Sequence, residues 1–234
     1  MGGESHPIMK YTLIASSICA AALLAAAADA APFSNGSFET GSPTNGLLGS
    51  GDSTSIPSWV TGGTSSTIEF NSPGFNGQFA QDGNNFISFG HNTTTGGTLS
   101  QTFDTVIGAV YTVNYFVSRI QGGSSAQGMS VTALSATNNI LGLVATTIPA
   151  TNNQWVAGST LTFTATSTST TLQFTDITAA GGGGDSNWAL DNVTLGARLP
   201  AAGVPEGGTS IALLALGVGG LIASRRLLRL SSAS

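Results

Sequence analysis

The stretch from residue 31 to residue 198 predicts an all-β fold, an antiparallel two-layer sandwich or jelly roll. Three observations predict it. Short runs alternate apolar and polar residues with a period of two. Clusters of Gly, Asn, Ser and Thr separate those runs. No segment of this stretch carries a helical apolar stripe. The flanks read differently: a signal peptide at 1–30, a short linker at 199–203, and a membrane-anchoring tail at 204–234.

At the front, Lys10 precedes the apolar run "YTLIASSICAAALLAAAADA", which finishes in Ala28-Asp29-Ala30. A basic residue, an apolar core and a small-x-small end are the features that signal peptidase reads. Met9 is an alternative start to Met1. The only cysteine, Cys19, lies within this segment. The exported chain therefore has no disulfide, thiolate nucleophile or cysteine metal site.

Five runs behind the signal read as strands. "AVYTVNYFVS" places Tyr111, Val113, Tyr115 and Val117 on one face, with Thr112 and Asn114 on the other. "GTLSQTF" repeats the pattern with Leu99 and Phe103, and "STLTFTA" with Leu161 and Phe163. "TTLQFT" adds Leu172 and Phe174, and "WALDNVTL" supplies Val193 and Leu195. Turns fall at Gly122-Gly123-Ser124-Ser125 and at Gly181 to Gly184. Thr160, Thr162 and Thr164 share a face, which reads as the solvent side of two adjacent strands in "TLTFTATSTSTTLQFT", where threonine suits the pleat.

The tail "VPEGGTSIALLALGVGGLIASRRLLRL" has no charged residue from Gly207 to Ala223. At about 1.5 Å of rise per residue this span approaches a bilayer's hydrocarbon thickness. Arg225, Arg226 and Arg229 follow directly, and such a cluster stays on the cytoplasmic side and stops transfer.

Composition narrows the function. Between residues 31 and 198 the basic residues are Arg119 and Arg198, against Glu39, Asp52, Glu69, Asp82, Asp104, Asp176, Asp185 and Asp191. An acidic surface without lysine excludes a nucleic-acid partner, which needs a basic footprint. One histidine, His91, with no Gly-x-Ser-x-Gly or His-Glu-x-x-His pattern, leaves triad and zinc hydrolases without their parts. A glycosidase needs only two carboxylates about 5 to 9 Å apart, but none of these acids sits in a recognisable context. The sequence therefore reads as non-catalytic. His91, in "GHNTTTGG", reads as a solvated loop residue.

Two resemblances add to this reading. The signal peptide, the step Val204-Pro205-Glu206-Gly207, the single helix and the arginines resemble the PEP-CTERM sorting signal of Gram-negative bacteria, with Gly207 where the common motif has a second proline. The resemblance implies an exosortase as processing partner and a place at the cell surface or in an exopolysaccharide matrix, after transient anchoring in the membrane. The ordered series "NGSFETG", "IPSW", "DGNNFISF", "GGTLSQTF", "YTVNYFV" and "WALDNVTL" resembles the galactose-binding-like jelly roll of the choice-of-anchor C proteins. That resemblance implies a non-catalytic, carbohydrate-binding module. The competing expectations are a purely structural or adhesive matrix protein and, further off, a glycoside hydrolase.

The candidate site residues follow. Related jelly rolls imply a structural Ca²⁺ held by Glu39 and Asp191, completed by nearby carbonyls; the alternative makes each a cap for turn amides. Phe75 and Phe79 lie in the Gly/Asn-rich loop "NSPGFNGQFAQDG", where they either pack beneath it or face a sugar ring. Arg119 ends a strand; it either pairs with an acid or grips sugar hydroxyls and uronates. The resemblance implies that Trp59 of "IPSW" is a core anchor, and Tyr115 alternates with core residues; Trp155 and Trp188 complete the candidate aromatics for stacking on a sugar.

Overall fold

The computed structural model describes residues 32–63, 67–91, 95–121, 126–178 and 187–200. The signal peptide and the sorting tail, with Val204, Pro205, Glu206, Gly207, Arg225, Arg226 and Arg229, lie outside the described residues. Among the described residues no helix is long and apolar enough to cross a membrane.

The strands are β1 (Gly46–Leu48), β2 (Val60–Gly63), β3 (Ile68–Asn71), β4 (Phe86–Phe89), β5 (Gly97–Asp104) and β6 (Val110–Arg119). They continue with β7 (Gly128–Ser135), β8 (Ile140–Thr147), β9 (Val156–Ala157), β10 (Leu161–Thr164), β11 (Ser169–Asp176) and β12 (Trp188–Arg198). The larger sheet runs β1-β3-β4-β12-β6-β10, with β9 also on β6; the smaller runs β2-β5-β11-β7-β8. All the strand pairings are antiparallel. The two sheets face each other across one core, so the fold is an all-β antiparallel sandwich.

Period-two alternation builds that core. Tyr111, Val113, Tyr115 and Val117 of β6 point inward, as do Leu99 and Phe103 of β5, Leu161 and Phe163 of β10, and Leu172 and Phe174 of β11. Trp59 is 1% exposed, its indole N–H given to Asn35 O at 2.9 Å, and Phe33, Phe38 and Phe174 surround it at centroid distances of 5.8, 5.5 and 6.0 Å. Trp188 stacks on Phe89 at 4.2 Å. Such rings dominate core energetics through their buried area and edge or offset contacts.

Three features depart from the sequence reading. The Thr-rich stretch does not make two adjacent strands: β10 pairs with β6 in the larger sheet, and β11 with β5 and β7 in the smaller. Strands β7 and β8 have no counterpart among the predicted runs; Met129, Val131 and Ala133 of β7 are buried, whereas Ile140 and Leu143 of β8 are exposed on the sheet's edge. Within β12 a bulge between Asp191 and Thr194 resets the alternation, with Asn192 at φ 50°. Asparagine tolerates that left-handed backbone better than most residues. Leu190 and Val193 therefore both face the core, while Leu195 is only half-buried.

The outer side of the larger sheet is not left to solvent. Glu69, Asn71, Ser88, Ser118 and Asp191 alternate away from the core and are nevertheless buried. The connection between β3 and β4 reaches this face, and it carries the site.

Candidate functional site

The β3–β4 connection begins with a tight turn. Gly74 N–H donates to Gln78 O at 2.8 Å, and Gln78 N–H to Phe75 O at 2.9 Å. Gln78 then anchors the turn from within. Its Oε1 accepts the Ser118 hydroxyl at 2.9 Å, and its Nε2 donates to Phe79 O at 2.7 Å. The same carbonyl of Phe79 also accepts the Trp155 indole N–H at 2.8 Å. Two donors thus fix the backbone of Phe79 while the residue stays 66% exposed, alongside other exposed large apolar residues such as Ile107, Ile140 and Leu143. Phe75 behaves differently. It is half-buried and packs with Ala80 and Trp155 against a small cluster of Phe86, Ile120 and Ala189 on the outer side of the larger sheet. Trp155 meets Phe86 edge-on at 6.3 Å.

Arg119 joins this region through β6. Its carbonyl accepts Asn153 N–H at 2.6 Å, and its Nη1 donates to Ala150 O at 3.4 Å. The segment that carries Trp155 is therefore tied to the strand end that carries Arg119. Sequence singles out Phe75, Phe79 and Arg119. The structure ties all three into this region and separates their roles: Phe79 faces outward and Phe75 packs beneath. Sequence names Trp155 among the candidate aromatics, but nothing local in "TNNQWVAG" reveals its hydrogen bond to residue 79. Gln78 carries no sequence signal at all.

The second half of the connection is held by the two predicted metal ligands. Glu39 Oε1 accepts the amides of Asn84 and Asn85 at 2.8 and 2.7 Å. Asp191 Oδ2 accepts those of Gln81 and Asp82 at 2.7 and 3.0 Å, and its Oδ1 accepts Asn192 N–H at 2.6 Å. Between the two pairs sits Gly83 at φ +70°, where a Cβ would collide with the Glu39 carboxyl. Asn192 adds a side-chain bond from Nδ2 to Gln81 Oε1 at 2.6 Å. Two carboxylates from opposite ends of the chain thus buckle one loop by its amides.

For a calcium shell of six to eight oxygens, Glu39 and Asp191 supply two carboxylates whose loop-facing oxygens already accept hydrogens. Among the described residues there is no group of three or more His, Cys, Asp or Glu side chains placed to hold a metal. The donor set fits amide capping: the oxygens that an ion would require are turned to the N–H groups of the loop. Asp191 is fully buried, and burial pushes its carboxyl up from 3.8 to about 7. The amides of Asp82, Asn192 and Gln81 oppose the rise, and the charge of Asp82 adds to it.

His91 is half-buried, not fully solvated. Its Nδ1 lies 3.4 Å from Glu69 Oε1, and Glu69 Oε2 accepts the Ser88 hydroxyl at 2.8 Å. Asn71 Nδ2 donates to the same hydroxyl at 2.8 Å. Four polar residues therefore form a ladder across β3 and β4.

Fold and site together define an antiparallel two-sheet module with an aromatic-bearing loop buckled onto one face. The chain belongs to the family described as "Protein of unknown function (DUF642)", whose model matches residues 31–195. No curated protein matches. Among solved structures it is similar to TmCBM61 in complex with beta-1,4-galactotriose, at 15% identity and TM-score 0.49, over 71% of this chain and 97% of that one. It is similar to the arabinose-bound MgGH51 α-L-arabinofuranosidase at 14% identity and TM-score 0.50, over 72% of this chain but 26% of that one. The K1 cleaved adhesin domain of Lys-gingipain from Porphyromonas gingivalis W83 is similar at 17% identity and TM-score 0.47, over 70% and 96%. At such identities the likeness is one of fold.

Proposed function

We propose that this domain is a non-catalytic carbohydrate-binding module that holds a neutral or mildly acidic exopolysaccharide at an exposed aromatic platform. The observation that carries the reading is Phe79, a residue 66% exposed on a backbone pinned by Trp155 and Gln78. A pinned backbone leaves only the ring's own torsions to be fixed when an apolar sugar face stacks on it, which lowers the cost of binding. Trp155 adjoins the platform through its bond to the Phe79 carbonyl, whereas the Arg119 guanidinium reaches Ala150 O. The neighbouring acids disfavour a strongly anionic polymer.

The carboxylates support the non-catalytic reading. Glu39 and Asp191 hold a loop, Glu69 is committed to His91 and Ser88, and Asp52 accepts from Thr54 and Ser55 in its own turn. Affinity gel electrophoresis against neutral and uronate-rich polymers tests the proposal. Retardation is expected to be strongest for a neutral or mildly acidic polymer and to vanish in Phe79→Ala with the fold intact. If no polymer slows the protein, or if Phe79→Ala migrates like the parent, the platform does not bind glycan and the domain is a structural matrix element.

The tail from Val204 completes the proposal as an exosortase-read address that places the module at the cell surface or in the matrix. Mass spectrometry of the released protein should then find no peptide from Leu213 to Arg229. An intact tail in that fraction overturns this part alone.

A further inference from the structure

A second set of buried oxygens lies away from the loop held by Glu39 and Asp191. It gathers where β11 ends and β7 and β12 begin. Asp176 is 2% exposed; its Oδ1 accepts Thr178 N–H at 2.9 Å and the Trp188 indole N–H at 3.2 Å. Its other oxygen, Oδ2, is buried and has no hydrogen-bond partner. Gln127 and Asn187, each 3% exposed, repeat the situation: Gln127 Oε1 and Asn187 Oδ1 are buried and unpartnered. The opposite end of the Gln127 amide is fixed, because Nε2 donates to Gln121 O at 2.8 Å.

Hydrogen bonds connect the segments that carry the three residues. Asp176 is registered opposite Met129, two residues from Gln127, and Ile177 N–H donates to Gly128 O at 3.0 Å. Gly128 N–H reaches Thr178 Oγ1 at 3.3 Å. Gln121, whose carbonyl holds Gln127, donates its own N–H to Asn187 O at 3.1 Å, and Asn187 adjoins the Trp188 that bonds Asp176. Asp191 is four residues further along β12, roughly 13 Å at strand rise, so the two places are distinct.

Three bare acceptors in one buried region pose a problem of satisfaction. A buried polar atom without a partner costs about 1–3 kcal/mol, and native structures resolve such atoms with water or an ion. A proton on Asp176 Oδ2 would make it a donor to one of the amide oxygens and still leave the other bare. A hard cation satisfies all three and neutralises the carboxylate.

We infer that Asp176, Gln127 and Asn187 form a binding site for a hard divalent cation of the calcium class, through Asp176 Oδ2, Gln127 Oε1 and Asn187 Oδ1. One carboxylate and two amide oxygens, with main-chain carbonyls and water to complete the shell, make a low-charge site. Such sites hold calcium weakly, at about the 10⁻⁴–10⁻³ M of extracellular modules.

The indole beside Asp176 provides the readout, because excited tryptophan sensitises emission from bound terbium. The full chain, stripped with chelator, is titrated with Tb³⁺ and then with competing Ca²⁺, while metal content and thermal unfolding are followed. Saturable sensitised emission, displaced by Ca²⁺ and accompanied by a Ca²⁺-dependent rise in Tm, is expected of the parent. Asp176→Asn, folded by circular dichroism, should lose more than about tenfold in affinity, the least that even an outer-shell change costs a metal site. Gln127→Met serves the same purpose should Asp176→Asn not fold. Glu39→Gln should leave the emission intact. Emission lost in Glu39→Gln but kept in Asp176→Asn moves the ion to the buckled loop and overturns the assignment. A protein that retains no metal, shows no emission and melts indifferently to Ca²⁺ holds a buried water only, and overturns it equally.

Discussion

The two outer faces of this sandwich are finished in opposite ways. On the larger sheet, outward residues such as Asn71, Ser88, Ser118 and Asp191 are buried, and the β3–β4 connection bonds to Ser118 and Asp191. On the smaller sheet the outward residues of β5 and β11 stay half-exposed or exposed, and pair among themselves, as Thr102 does with Thr171 at 2.8 Å. The contrast shows where a lysine-poor β-protein invests its polar chemistry. The open face follows from period-two alternation alone. The covered face requires contacts between residues more than a hundred positions apart, such as Gln81 with Asp191, and those contacts fix the loop that presents Phe79.

If this contrast is real, the two faces will respond unequally to substitution. The largest effect is expected at Asp191→Ala, which leaves the amides of Gln81, Asp82 and Asn192 without their acceptor. Urea unfolding should show a loss of about 3 kcal/mol. Gly83→Ala comes next: a left-handed backbone and a collision with Glu39 should cost about 2 kcal/mol.

A pH series then sharpens the comparison. Asp191 titrates near 7 in the fold against 3.8 for the ordinary carboxyl, so between about pH 4 and 7 the native state binds more protons than the unfolded chain. Stability should therefore fall as pH rises through that window, by less than about 1.4 kcal/mol per pH unit from this one group. Asp191→Asn should reduce the slope; a slope unchanged by it would place the titration elsewhere. The smallest effect belongs to the open face, where Thr171→Ala should stay within about 0.5 kcal/mol. Equal losses at Thr171 and Asp191 would erase the distinction between the faces.

What the sequence discloses follows the same division. Strands β5, β6, β10 and β11 are legible because each buries every second residue against one core. Burial of Tyr115 is legible for the same reason, whereas that of Trp59, which precedes β2, follows only from the family resemblance. Strand β8 is not, since an edge strand with exposed Ile140 and Leu143 breaks the alternation that identifies it. At the site, glycine-rich surroundings flag Phe75 and Phe79, but only tertiary contacts decide which ring packs and which faces water. Gln78, Trp155 and the capping of residues 81–85 depend on partners distant in sequence, where no local pattern reports them. The oxygens of Gln127, Asp176 and Asn187 are equally invisible, because an unpartnered atom is defined by what the folded chain fails to bring to it.

Strand β12 lies in the interior of the larger sheet, bonded on one side to β4 and on the other to β6 from Trp188 opposite Arg119 to Arg198 opposite Val110. The chain leaves the sandwich from this strand. Drag on a domain tethered through its C-terminal side would therefore pull β12 along its own length. Lengthwise tension loads the hydrogen bonds to both neighbours together, whereas a tether on an edge strand peels them one at a time. Forced unfolding is a question of rate rather than equilibrium, and a tether at this strand makes the domain resist flow by shear.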